Sequence, residues 1–348
     1  MKKLNILVAS LLSVFLISSA NAGELTVTGS VKASITTAGS DATAGGSTTG
    51  DGQALAISND IDFNASGELD NGWTWKWQTQ LDAGSIDDTQ LTISTPQGTI
   101  GLYGTEGGLN FKHGGSQMAL GYGSQIGNAA GFVDPDDVGS FNNIQYHTPA
   151  GLLPFGTTIK AAMTMGGSAT GEPGDSPLGS AVTESNGRSY QVEVTEIPMV
   201  EGLKIGASYF TIDQNVAANE KGQQEENGAY YASYKVGGLG IGYSKAYVAP
   251  ATGSASAAAT GLYNYYENTS YSVGFAMNDN LSISYGNEKS HRNLITNATE
   301  YDIKIDTIQA AYTMGGMTAT LGVKDIENGN YDQNQNTNEA HFVLSMAF

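Results

Sequence analysis

The chain has 348 residues, 46 of them glycine and none cysteine, with 18 tyrosines, 10 phenylalanines and a formal net charge of −19. Without cysteine there is no disulfide framework and no thiol chemistry, and so large an acidic excess repels nucleic-acid phosphates. Abundant glycine with many aromatic residues favours numerous short strands over helices.

The first 22 residues have the layout of an export signal. Lys2 and Lys3 precede an apolar run from Leu4 to Ile17, and Ala20-Asn21-Ala22 forms a small-residue cleavage site. That run is too short to span a bilayer as a helix, and none of 18 residues follows it. The expected division is a signal peptide at 1–22 and one exported domain at 23–348. Cleavage would remove two lysines and no acid.

From residue 24 apolar and polar side chains alternate. Leu25, Val27, Val31, Ala33 and Ile35 share one face, and Glu24, Thr26, Thr28, Ser30, Lys32 and Ser34 share the other. Period two marks a strand with one apolar and one wet face, and its length suits a tilted crossing of a bilayer. The pattern recurs in WTWKWQTQLDA (73–83), LSISYGN (281–287) and MTATLGVK (317–324). Sixteen such segments begin near 25, 55, 73, 90, 99, 141, 157, 188, 203, 228, 239, 266, 281, 300, 317 and 339.

The connections alternate in kind. Tight turns at 70–72, 96–98, 237–238, 278–280 and 315–316, with slightly longer ones at 149–156 and 197–202, carry Gly, Asn, Asp and Pro. Between them lie mostly long polar loops at 37–54, 84–89, 105–140, 167–187, 213–227, 248–262, 287–299 and 325–338. Short turns at one end and long loops at the other are the signature of an up-and-down transmembrane barrel. A soluble sandwich would bury the alternating face but would not need that alternation. The expectation is an all-β, sixteen-stranded antiparallel barrel. The short segments at 90–96 and 99–104, and a further hairpin within 109–122, leave fourteen or eighteen strands open.

With its signal peptide, the strand after Gly23, the NIQYHTPAG stretch at 143–151 and a last strand ending in Phe348, the chain resembles the general porins of Gram-negative outer membranes. The resemblance covers the whole exported part. It implies a homotrimer of barrels in outer-membrane lipid and lipopolysaccharide, each pore passing ions and small hydrophilic solutes by diffusion. It implies an inward-folded third loop that narrows the lumen, and a terminal Phe348 read by the outer-membrane assembly machinery. The PEFGG signature of enterobacterial third loops is absent here, and the second loop, GSIDDT, is shorter than the latch many relatives use between subunits.

The constriction expected from this resemblance uses Glu106, Asp134, Asp136, Asp137, Lys112 and His113 of the third loop against the wall lysines Lys32 and Lys76. Opposed charges across a narrow lumen would set up a transverse field. Alternation places nine acids on the wall (Glu24, Asp60, Asp62, Glu68, Asp82, Glu193, Glu288, Asp302 and Asp306). It places seven lysines there (Lys32, Lys76, Lys160, Lys204, Lys235, Lys304 and Lys324). That balance favours cations modestly.

Four histidines without HxH or HExxH spacing give no metal site. Asp87-Asp88 and the Asp134–Asp137 stretch fit no EF-hand loop and read as solvated acids. GGLGIG at 237–242 is a hairpin turn and strand rather than a nucleotide loop, and no cofactor motif appears. The alternatives are a substrate-specific channel, an adhesin and a barrel enzyme. For an enzyme, Ser290-His291 is the only adjacent nucleophile–base pair. Trp73, Trp75 and Trp77 fall on one apolar face beside a tight turn, as in an aromatic girdle.

Overall fold

The computed structural model describes residues 23–40, 52–82, 85–104, 106–109, 133, 135, 137–164, 184–214, 224–250, 263–294 and 300–348. These form sixteen strands. They are β1 (Glu24–Ser40), β2 (Gly52–Glu68), β3 (Thr74–Asp82), β4 (Ser85–Thr95), β5 (Gly98–Gly104), β6 (Asn143–His147), β7 (Thr158–Thr164) and β8 (Glu184–Val194), followed by β9 (Leu203–Gln214), β10 (Glu225–Val236), β11 (Leu239–Ala249), β12 (Tyr263–Ala276), β13 (Leu281–Leu294), β14 (Ile303–Met314), β15 (Met317–Glu327) and β16 (Thr337–Ala347). Each pairs antiparallel with its neighbours in sequence, and β1 pairs with β16 to close the barrel. Closure removes every free sheet edge, which a bilayer demands because it offers backbone groups no water.

The turns hold their strands as their residues dictate. Asn71 Oδ1 accepts from Trp73 N at 3.0 Å, and Asn278 Oδ1 accepts from the amides of Asn280 and Leu281, both at 2.9 Å. Gly202 has φ +85°, and a Cβ there would lie 2.0 Å from the Lys235 carbonyl, so only glycine fits. At the same end Trp75 lies flat against Gly67, where a Cβ would meet its indole Nε1 at 2.8 Å.

The outer face of β14 and β15 shows the apolar band: Ile308, Ala310, Tyr312 and Met314 beside Val323, Leu321, Ala319 and Met317. Ile308 is 65% exposed and Leu321 58%, as lipid-facing residues of a barrel are. Inward-facing neighbours are polar and mostly hidden, among them Thr307, Gln309, Thr320 and Lys324.

Three expected wall residues face the other way. Strand parity turns Lys304 and Asp306 outward, and Asp302 bonds to the outward Lys289 and His291. The reason is an inversion of polarity along β14. Near the long-loop end, Ile303 and Ile305 point inward into an apolar cluster with Val248, Tyr266, Ile326 and Tyr331. The wall there rises past the apolar band, so its outside is wet and its inside is dry.

The short segments near 90 and 99 are genuine strands, and β4 begins five residues earlier than expected, at Ser85. Of the hairpin considered within 109–122, only Leu109 is described. It is 2% exposed in an interior cluster rather than in a strand.

Candidate functional site

The lumen wall is built by alternation, one inward residue in two. On β1 to β4 it carries Lys32, Asp60, Asp62 and Lys76. Ser30 Oγ donates to Asp60 Oδ2 at 3.2 Å and Gln78 Nε2 to Asp62 Oδ1 at 3.1 Å. Both lysines are exposed on the inner face. A groove of about 330 Å³ between Glu24, Asn64, Ser66, Lys76 and Gln90 opens there.

Between β15 and β16, Lys324 Nζ meets Glu339 Oε2 at 2.8 Å, and along β16 His341 Nε2 meets the same oxygen at 2.9 Å. The other ring nitrogen of His341 bonds to Thr36 Oγ1 at 3.0 Å. His341 is a wall residue bound on both sides, as a wet-face position predicts. On the opposite wall the Tyr231 hydroxyl donates to Glu193.

Glu225, Arg292 and Glu339 also face inward and are absent from the sequence-derived tally. Glu339 shares its face with His341, so alternation alone exposes it. Glu225 lies three residues before the expected start of β10, and Arg292 lies inside the loop expected at 287–299, because β13 runs on to Leu294. With Asp302, Asp306 and Lys304 removed and these three added, the described wall again holds nine acids against seven bases.

The third loop is tied to the inside of the barrel. Leu109 on its outgoing arm and Val138 on its returning arm pack with Ala162, Phe210 and Ile212 on the inner face of β7 and β9. Asn143 Nδ2 joins the two arms, donating to the carbonyls of Glu106 at 2.8 Å and Val138 at 2.9 Å. Gln145 Nε2 donates to the Gly107 carbonyl. Five residues before Val138, Val133 lies against the cluster on β11 to β15, its carbonyl accepting from Asn268 Nδ2 at 2.7 Å. Five residues reach at most about 17 Å. Val133 and Val138 thus fix two points of the returning arm, one against β12 and one against β7 and β9.

Of the expected constriction residues, Glu106 and Asp137 sit in these arms. Asp137 Oδ1 accepts from Gly139 N at 2.8 Å and caps a 3-10 turn at Val138–Ser140, so its carboxylate also has a local structural task. Lys112, His113, Asp134 and Asp136 lie outside the described residues. Ser290 and His291 fall on opposite sides of β13. Ser290 bonds inward to Asn268 and Tyr331, whereas His291 bonds outward to Asp302. They cannot form a nucleophile–base dyad.

The sequence pattern of the Gram-negative porins matches residues 8–347. The chain belongs to that family. Its porin barrel superimposes on a porin structure refined at 1.8 Å resolution with a TM-score of 0.60 at 14% identity, covering 93% of this chain and 100% of that one. Salmonella typhi OmpF in complex with daunomycin gives 0.61 at 12% identity, covering 94% and 98%. Vibrio cholerae OmpT in its trimer form gives 0.58 at 11%, covering 94% and 100%. No curated protein sequence matches it. The porin is an outer-membrane channel for small solutes. Its polar inner face, closed ladder and apolar outer band supply the water-filled path.

Proposed function

We propose that this porin is a general diffusion channel with a modest cation preference, set by the inner wall and by the acids of the third loop. The observation that carries the reading is the wall itself, with nine acids against seven bases facing the lumen among the described residues. Glu106, Asp134, Asp136 and Asp137 are proposed to face Lys32 and Lys76 across the constriction, outweighing Lys112. Charge at the mouth is screened over a Debye length of about 8 Å at physiological ionic strength, so charge close to the ion path dominates.

The proposal extends to maturation and assembly. Residues 1–22 are removed on export, the assembly machinery reads Phe348, and three copies associate. Exposed Leu25, Val27, Leu55 and Ile57 on β1 and β2 support a subunit contact. The outward charges Lys289, Asp302, Lys304 and Glu327 suit the level of lipopolysaccharide headgroups.

The test is the zero-current potential across a planar bilayer under a tenfold KCl gradient. A potential of the cation-selective sign is expected; chloride preference would overturn the reading. Changing Asp134, Asp136 and Asp137 to Asn should weaken the preference. Asparagine still caps a helical turn, so the Asp137 substitution removes charge without removing the cap. A preference untouched by all three changes would transfer it to the wall and mouth.

A further inference from the structure

The connection between β15 and β16 folds on itself in an unusual way. Asn328, Asn330, Tyr331 and Asn334 all have φ between 56° and 62°. Asparagine tolerates this left-handed region, but a bulky aromatic rarely enters it. The turn is held by Gly329 N donating to the Gln335 carbonyl at 2.7 Å and Tyr331 N to the Asn328 carbonyl at 3.0 Å. The consequence is that Tyr331 points into the barrel, 3% exposed. Its ring lies 5.6 Å from that of Tyr266, with the Arg292 guanidinium 4.6 Å from its centroid.

Its hydroxyl begins a chain of hydrogen bonds that ends on the third loop. Tyr331 Oη lies 2.7 Å from Ser290 Oγ, Ser290 Oγ donates to Asn268 Oδ1 at 2.5 Å, and Asn268 Nδ2 donates to the Val133 carbonyl at 2.7 Å. Because Ser290 gives its proton to Asn268, the tyrosine hydroxyl must be the donor to Ser290. The order of donors is then fixed from Tyr331 to Val133. Ser290 and Asn268 are both fully buried, and Val133 packs on the apolar cluster that contains Tyr331. Buried polar groups need their partners, so such a chain fixes one arrangement of the groups it joins.

We propose that Tyr331 is a positioning residue for the third loop, fixing where its returning arm lies in the lumen and thereby setting the solute size limit. This rests on the diffusion-channel reading above. The eighth connection thus sets the bore from the side opposite the third loop's own anchors at Asn143 and Gln145.

Four variants test this: Tyr331→Ala, Tyr331→Phe, Asn268→Ala and, as a lipid-face control, Ile308→Ala. Each is checked for folding by heat-modifiability. In liposome swelling with graded sugars, Tyr331→Ala and Asn268→Ala should shift the cut-off to larger sugars and raise single-channel conductance. Tyr331→Phe, which keeps the ring, should shift it less. Ile308→Ala should lower the melting temperature and leave the cut-off unchanged. A folded Tyr331→Ala with the wild-type cut-off and conductance would overturn the proposal. The chain has no cysteine, so Val133→Cys gives a second readout that needs no conduction. Its reaction with a charged thiol reagent should accelerate when Tyr331→Ala is added, and equal rates would equally overturn the proposal. A silent wild-type channel would instead sink the diffusion reading and leave the labelling rates to decide this one.

Discussion

Phe348 lies over Gly29. The two residues exchange backbone hydrogen bonds, Gly29 N to Phe348 O at 2.9 Å and Phe348 N to Gly29 O at 3.0 Å. A Cβ on Gly29 would come within 2.6 Å of the phenylalanine ring. The β1–β16 ladder, which runs from Ser40↔Thr337 to Ser30↔Ala347, thereby gains one further rung, roofed by an outward-facing ring.

Deleting Phe348 should therefore lower folded protein in the outer membrane several-fold, because it removes both the last rung and the proposed assembly signal. Gly29→Val should also reduce it, since the new side chain displaces the ring. Phe342→Tyr, outward on the same strand, should leave the yield near wild type. Equal yields of all three by heat-modifiability gel would show that the seam does not depend on this contact.

The face assignment predicts opposite fates for two arginines on β15. Leu321 faces lipid within the apolar band, where arginine costs about 2–4 kcal/mol. Thr318 faces the lumen and pairs with Thr313 at 3.1 Å near the tight-turn end. Leu321→Arg should lose most of its folded fraction. Thr318→Arg should fold, lower the conductance and shift the zero-current potential towards anions. Similar folding of the two variants would mean that the strand is assigned to the wrong face.

The outer rim should respond to acid through Asp302. Partial burial pulls its carboxyl upward, but Lys289 at 2.6 Å and His291 at 2.7 Å outweigh that and hold it below the usual carboxylate range. A carboxyl depressed in the folded state adds stability at neutral pH. That contribution disappears as pH falls through its folded value, below the ordinary value of about 3.9. For a pair at the rim the contribution is about 1 kcal/mol or less. Asp302→Asn should lower the melting temperature at pH 7, and the gap from wild type should narrow as the pH falls below about 3.9, towards the folded carboxyl's own value. A gap that is constant with pH would remove the ion pair as its cause.

Most of the architecture is legible in the sequence, and the reason is local. A strand in a barrel must turn alternate residues to lipid and to water, so period two is written into each segment. A tight turn must use residues that accept positive φ or cap their neighbours, as Asn71, Gly202 and Asn278 do. Those constraints yield all sixteen strands, the two kinds of connection and the inward placement of Lys32, Lys76 and His341 without reference to distant parts of the chain.

What the tertiary structure alone decided is where the environment outside and inside the wall changes. The same alternation runs through Ile303–Met314, yet its apolar members face inward at the top and outward below. The inward half is dry because Tyr331 and Val133 arrive there from connections 28 residues later and 170 residues earlier than Ile303. Periodicity gives the direction of a side chain relative to its neighbours. It does not give what waits on that side, which is why Asp302, Lys304 and Asp306 stand outside the barrel and Tyr331 stands within it.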